Sequence, residues 1–150
     1  MPAEHESVTV RIIPFGSPEY IQEVELRLAV LREPLGLTFT EAQLEEEAEE
    51  IHINCFMGEK LAGTLLLKSI SVDEIKMRQV AVNPDIRGRG IGRYMVFYAE
   101  GWAKGRGYKT MSMHAREESI LFYLKLGYRI TGEKFTEVTI PHFKMEKALL

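Results

Sequence analysis

The stretch that most constrains this chain is Val80 to Tyr94, VAVNPDIRGRGIGRY. An apolar strand, Val80-Ala81-Val82, runs into Asn83-Pro84, which must stop it, because proline fixes φ and donates no backbone hydrogen. Arg87-Gly88-Arg89-Gly90-Ile91-Gly92 follows, and a helical pattern begins at once. Glycine lets a backbone turn tightly and approach a ligand closely. A helix start offers unpaired N–H groups and the positive end of a dipole to an anion. Arginine adds charge that pairs well with phosphate. Strand, glycine–arginine loop and helix start together predict a phosphate cradle.

The 150 residues suit a single domain, 1–150, large enough to bury a core without staples. The one cysteine, Cys55, excludes an internal disulfide and a cysteine zinc cluster, and makes a reducing, cytoplasmic location the default. Ile53 and Phe56 beside it suggest a strand, so a core thiol is expected rather than a nucleophile. MPAEHESVTV has no basic start followed by an apolar run, so no signal peptide is expected. No apolar stretch approaches the ~20 residues of a membrane span. The net charge of −3 hides an asymmetry: residues 1–50 hold twelve Glu against three Arg, and residues 51–150 hold ten acids against sixteen Lys and Arg. The basic surplus shares its part of the chain with the glycine loop, as an anionic cofactor favours. It is too diffuse, with no basic stripe interleaved with aromatics, to indicate nucleic acid.

Val8 to Ile13 alternates apolar and polar residues and predicts a first strand. Ser17-Pro18-Glu19 marks a helix start, with Ile21, Val24, Leu28 and Leu31 on one face and an end near Pro34-Leu35-Gly36. Thr40 opens an acidic helix over Glu41 to Glu50, with Ala42, Leu44 and Ala48 as its thin apolar content. It reads first as a solvated face, and alternatively as a rim that attracts a cation. Ile51 to Met57 and Leu61 to Ser69 predict a hairpin about Gly58-Glu59-Lys60, and Glu74 to Val82 adds a third strand. A helix over Gly90 to Lys104 places Ile91, Tyr94, Met95, Tyr98, Ala99 and Trp102 on one face. Thr110 to His114 predicts a strand. A fourth helix follows Arg116-Glu117-Glu118-Ser119, runs to Leu126 and is capped by Gly127. Tyr128 to Phe135 and Phe143 to Ala148 finish as strands. The expected class is α+β.

Two familiar phosphate motifs fail on this loop. A dinucleotide fingerprint read from Gly88 meets Arg93 where glycine is needed, and read from Gly90 it meets Met95. A P-loop needs Lys-Ser/Thr after its last glycine, and Gly92 is followed by Arg93-Tyr94. The loop instead resembles the R/Q-x-x-G-x-G/A signature of the GNAT superfamily of N-acetyltransferases, with Arg87, Gly90 and Gly92 in its fixed positions. Residues 119–128, SILFYLKLGY, resemble that family's second segment, A-x-x-F-Y-x-K-x-G-F, through Phe122, Tyr123, Lys125 and Gly127. Ser119 and Tyr128 depart from it. VLREPLG (30–36) and IPHFKMEK (140–147) are similar to a small bacterial-type subgroup whose substrates are mostly unassigned.

The resemblance implies a GNAT fold, a mixed and mostly antiparallel sheet of six to seven strands with about four helices. It implies acetyl-CoA as donor, with its pyrophosphate on the amides of Arg87, Gly88, Arg89, Gly90, Ile91 and Gly92, and with Arg93 beside them. The pantetheine arm would lie along Val80-Ala81-Val82 as an added strand, and an amide there, that of Val80, would face the thioester carbonyl. Tyr123 matches the tyrosine that protonates the leaving thiolate in many members. A phenol near pKa ~10 against a thiol near ~8.5 makes that transfer uphill unless the site adjusts both, so Tyr123 also fits a positioning role. Arg116 stands where the family often has asparagine. No motif identifies a base: His142, His114, Glu133 or a water chain could accept the amine's proton. Arg78, His114 and His142 are pocket candidates. The acceptor is expected to be a primary amine, of a small molecule or a protein, attacking directly in a ternary complex, with no metal; the acidic helix tilts towards a cation. Family habit allows a homodimer. A non-catalytic acyl-CoA-binding or sensor domain of the same fold is the alternative.

Overall fold

The computed structural model describes residues 7–150, so the first six residues, on which part of the leader reading falls, lie outside it. The strands are β1 (Val8–Ile13), β2 (Ile51–Met57), β3 (Lys60–Ser69), β4 (Glu74–Val82), β5 (Thr110–Arg116), β6 (Arg129–Ile130), β7 (Phe135–Glu137) and β8 (Ile140–Ala148). The α-helices are α1 (Pro18–Arg27), α2 (Glu41–Glu45), α3 (Ile91–Gly105) and α4 (Ile120–Lys125). The strands form one mixed sheet in the order β1-β2-β3-β4-β5-β8-β6, with β7 paired to β8. The class is α+β, as expected. The described residues fall into two compact units, 7–67 with Gln79–Ala99, and Lys68–Arg78 with Glu100–Leu150.

In the first unit β1, β2 and β3 form an antiparallel meander, with Ile13 opposite His52 and Ile51 opposite Leu67. Residues 52–56 of β2 and 61–67 of β3 are buried without a break, which gives the apolar run of β3 a physical reason. α1 starts where the sequence indicates: Ser17 Oγ accepts from the Tyr20 amide and Pro18 takes the first helical position. Its inward face differs from the one expected. Tyr20, Glu23, Arg27 and Leu31 are buried, whereas Ile21 is 59% exposed. A buried charge network decides this. Arg27 Nη1 donates to Glu23 Oε2 at 3.0 Å, and its Nη2 donates to both oxygens of Glu47 at 2.8 Å. His52 Nδ1 lies 2.8 Å from Glu23 Oε2 and its Nε2 lies 2.9 Å from the Glu47 carbonyl.

The same network shortens the acidic helix. Thr40 and Gln43 form a reciprocal capping box, but α2 ends at Glu45 and the chain continues in turns, with Glu47 buried against Arg27. The acidic run is therefore mostly exposed, and Glu47 within it neutralises a buried guanidinium. Between α1 and α2 the chain widens into a π-helix at Leu28–Arg32, tightens at Glu33–Leu35 and stops at Gly36.

α3 also buries a face rotated from the expected one. Ile91, Met95, Val96 and Ala99 are inside, while Tyr94 and Tyr98 are exposed. Gly63 on β3 explains the seating. A Cβ there would lie 2.8 Å from Met95 Cε and 2.9 Å from Ile91 Cγ2, so any larger residue would force these side chains to shift.

In the second unit the first half of β4 runs parallel to β5, Glu74 opposite Thr110 and Met77 opposite Met113. β5 pairs antiparallel with β8 from Thr110–Ala148 to Arg116–His142. The tail corrects the expected strands. The run expected over Tyr128 to Phe135 breaks at Gly132 (φ +87°) into β6 and β7, and β8 begins at Ile140 rather than Phe143. Val138 and Thr139 make the intervening two-residue turn with φ of 52° and 67°, a region that β-branched residues rarely enter. α4 follows a single 3₁₀ turn, Glu117–Ser119, and closes at Gly127, where the Tyr128 amide donates to the Tyr123 carbonyl at 3.0 Å. Lys147 Nζ then donates to the Leu126 carbonyl at 2.8 Å and to Glu100 Oε1 at 3.0 Å, while Tyr128 donates its hydroxyl to Glu100 Oε2 at 2.7 Å.

Burial alone would lower the pKa of His52, but the hydrogen bond and charge of Glu23 and the Glu47 carbonyl outweigh it, and the net direction is upward from 6.5. A raised folded-state pKa contributes stability that is complete below about pH 6.5 and is lost as pH rises through the folded value. Resistance of the native chain to urea unfolding is therefore expected to fall above neutrality. His52→Asn is expected to cost about 1–3 kcal/mol at pH 6 and to flatten that slope; an unchanged slope would remove His52 as its source.

Candidate active site

The glycine–arginine loop belongs to the first unit and is tied to β3. The Asn83 amide donates to the Ala62 carbonyl at 2.7 Å, and Asn83 Nδ2 donates to the Leu61 carbonyl at 3.0 Å. Asn83 Oδ1 accepts from the Asp85 amide and starts the 3₁₀ turn Pro84–Ile86, whose Ile86 is buried. Gly88 and Gly90 then take φ of +78° and +74°, a left-handed backbone that side chains resist. A Cβ at Gly88 would meet nothing within 4 Å, and one at Gly90 would meet only Tyr94 at 3.8 Å. The two glycines serve the backbone path rather than packing. The Gly90 carbonyl accepts the Tyr94 amide at 3.0 Å, so the first-turn amides of α3 precede any intrahelical partner. Arg87, Arg89 and Arg93 are all exposed around this helix start. Open glycines, free helix-start amides and three cations fit a pyrophosphate.

Val80 and Val82 are half-buried and Ala81 is buried, on the end of β4 that leads into the loop. The residue before them, Gln79, has φ +54° and a buried Oε1 with no hydrogen-bond partner. The regular pairing of β4 with β5 ends at Met77–Met113, so Arg78 lies beyond it.

The other candidate residues lie in the second unit. Tyr123 sits on α4 and is 6% exposed, between Phe122 and Tyr128 at centroid distances of 5.0 and 5.8 Å. Burial pushes its phenol well above the ordinary tyrosine value, so it is a neutral hydrogen-bond donor at any physiological pH. Two histidines that are 28 residues apart in sequence share one partner that the sequence did not single out. His114 Nδ1 lies 2.9 Å from Glu137 Oε1, and His142 Nε2 lies 3.8 Å from Glu137 Oε2. Phe135 packs between the two rings, edge-on to His114 and stacked on His142. Glu133, the acid named from sequence, is exposed. No motif marks Glu137; only the tight turn after it, invisible without an Asn-Gly signal, brings it to the histidines. Arg116 is half-buried at the end of β5, paired in register with His142. Among the described residues no group of three or more His, Cys, Asp or Glu is placed to hold a metal ion, and no helix is long and apolar enough to cross a membrane.

Residues 19–128 match the Acetyltransferase (GNAT) family. The chain is 31% identical over 106 residues to the uncharacterized N-acetyltransferase YjcF of Bacillus subtilis (strain 168), covering 70% of this chain and 74% of that one. It is 31% identical over 74 residues to YyaT of the same organism; that match spans 49% of this chain and half the length of YyaT. A solved structure of a candidate N-acetyltransferase from Lactobacillus plantarum superposes with a TM-score of 0.81 at 26% identity, covering 95% of this chain and 99% of that one. An aminoglycoside 6'-N-acetyltransferase complexed with coenzyme A shares the fold, with a TM-score of 0.78 at 17% identity over 95% and 98% of the two chains.

Cys55 stands apart from this chemistry. It is fully buried on β2, and burial alone pushes its thiol up to about 11. A thiolate is the reactive form, so the folded chain is expected to leave a disulfide reagent unreacted at pH 8. Guanidinium should release one equivalent; rapid labelling of the folded chain would contradict the burial.

Proposed function

Because the chain belongs to the Acetyltransferase (GNAT) family, we propose that residues 1–150 act as one N-acetyltransferase domain. It moves an acetyl group from acetyl-CoA to a primary amine bound alongside it. The observation that carries this reading is the loop at the start of α3, where two left-handed glycines expose amides beside three arginines. Such a cradle suits the two phosphates of coenzyme A. The amides of Arg87 to Gly92 hold the pyrophosphate, and Arg87, Arg89 and Arg93 neutralise it. Val80, Ala81 and Val82 offer backbone to the pantetheine arm, and the Val80 amide stabilises the negative charge that grows on the thioester oxygen.

The amine must arrive at the thioester without its proton, since an ammonium of pKa ~10.4 has no lone pair. It attacks the carbonyl carbon, a C–N bond forms, the C–S bond breaks, and the thiolate leaves. A neutral Tyr123 donates a hydrogen bond to that sulfur. Its raised pKa makes complete proton transfer from phenol to thiolate unfavourable, so its main task is to orient and stabilise the leaving group. No acyl-enzyme is involved, in keeping with a single buried cysteine of raised pKa. Arg78, His114 and His142 border the acceptor in this reading.

Calorimetry with acetyl-CoA and thiol release over an amine panel test it. The panel holds spermidine, an aminoglycoside, free amino acids and peptides with a free α-amino group. The native chain is expected to bind acetyl-CoA, and Gly90→Glu to lose that binding through backbone strain and charge repulsion; retained binding would refute the cradle. Tyr123→Phe is expected to lower kcat about 10²-fold with the KM for acetyl-CoA little changed, and an unaltered kcat would exclude it from the chemistry. Tight binding with no turnover of any amine would identify a sensor of the same fold instead.

A further inference from the structure

The second unit concentrates titratable groups around one imidazole. His114 on β5 is faced by Lys76 on β4 and Glu137 on β7, the latter also 3.8 Å from His142 on β8, with Lys144 on β8 as the register partner of His114. Its Nδ1 lies 2.9 Å from Glu137 Oε1 and 3.2 Å from Lys76 Nζ. One ring nitrogen cannot serve both, because an ionised carboxylate only accepts and an ammonium only donates. Burial pushes Glu137 up, but the hydrogen bond from His114 and the charges of His114, Lys76 and His142 outweigh it, and its carboxyl is held below the usual range. Glu137 is thus an anion at neutral pH, and Nδ1 carries the hydrogen donated to it. In the neutral ring the lone pair then sits on Nε2.

The ring is held as well as polarised. Phe135 stands edge-on to it at 4.9 Å and 77°. The turn at Val138 and Thr139, left-handed at both residues, pairs Glu137 with Ile140 and fixes where its carboxylate stands. The other histidine is differently placed. His142 Nδ1 lies 3.0 Å from the Ile140 carbonyl, and its side chain is 5% exposed against 29% for His114. Of these two histidines, it is His114 that combines an assigned lone pair with access from solvent.

We infer that His114 is the group that takes the proton from the acceptor amine, and that Glu137 is the positioning residue that sets its tautomer. The inference rests on the transfer proposed above. The ammonium gives one proton to Nε2, leaving a neutral amine and an imidazolium that faces Glu137. Attack on the thioester makes the amide and releases the thiolate. The second nitrogen proton neutralises the thiolate, and the imidazolium returns its own to water. Carbon, sulfur and charge balance, with no oxidant and no metal.

The test compares native chain, His114→Ala, His142→Ala, Glu137→Gln and Glu137→Asp, using the panel amine that the native chain acetylates. At pH 7, His114→Ala is expected to lose about 10²–10⁴-fold in kcat with the KM for acetyl-CoA within about twofold. The loss should shrink as pH rises towards the amine's own pKa, and added imidazole should restore turnover to His114→Ala and not to His142→Ala. Glu137→Gln should lose less, and Glu137→Asp should recover part of that loss. Nitrogen-15 spectra of the histidine rings should show His114 as the Nδ1–H tautomer in the native chain and a mixture in Glu137→Gln. Full activity of His114→Ala at pH 7, or an Nε2–H tautomer in the native chain, overturns the assignment. Failure of the native chain to acetylate any amine overturns instead the transfer on which it rests.

Discussion

Three consecutive residues of β3 hold the loop in place. Leu61 and Ala62 offer their carbonyls to the side chain and backbone of Asn83, and Gly63 withholds a side chain so that Ile91 and Met95 can settle on the strand. The entry to the glycine–arginine loop and the first turn of the helix that ends it are thereby referred to one short stretch of backbone. A loop with exposed arginines and two left-handed glycines has little packing of its own to define it. Its shape is borrowed from the sheet, and the helix-start amides proposed to hold an anion are placed through Leu61, Ala62 and Gly63.

The chain uses a carboxylate–imidazole pair twice, in opposite ways. At Glu23–His52 both ring nitrogens are engaged, one by the carboxylate and one by the Glu47 carbonyl, and Arg27 closes the network with both acids. That imidazole has no nitrogen open to a substrate, and its titration acts on cohesion. At Glu137–His114 one nitrogen is engaged and the ring reaches solvent. The chemistry of the two pairs is identical; the number of partners and the access of water separate a structural fastener from a group able to move a proton.

The sequence was most legible where one local rule decides. Ser17 with Pro18, Thr40, Gly127 and the alternation of Val8 to Ile13 each name an element end or a strand without help from the rest of the chain. The turn and helix start of the glycine–arginine loop were legible for the same reason, whereas the FYLKLGY segment was read by its resemblance to a family motif. Legibility failed where distant residues compete for one face. The burial of Glu23, Arg27 and Glu47 turned α1 away from its apolar Ile21, a result that periodicity cannot foresee because it scores charges as outward. It failed again at Val138-Thr139, where two β-branched residues occupy a turn normally announced by Asn-Gly. Glu137 was hidden with it.

That turn separates two properties that mutational surveys usually confound. Each left-handed β-branched residue carries strain of order 1–3 kcal/mol, and Asn-Gly would adopt the same backbone without it, leaving the pairing of Glu137 with Ile140 intact. Thermal robustness at this hairpin is thus adjustable independently of the carboxylate's position, and a sequence repair there would act on the reserve of folding energy rather than on the geometry at His114. For anyone engineering the chain, positions 138 and 139 are a place to add durability, and a gain in melting temperature there carries no information about turnover.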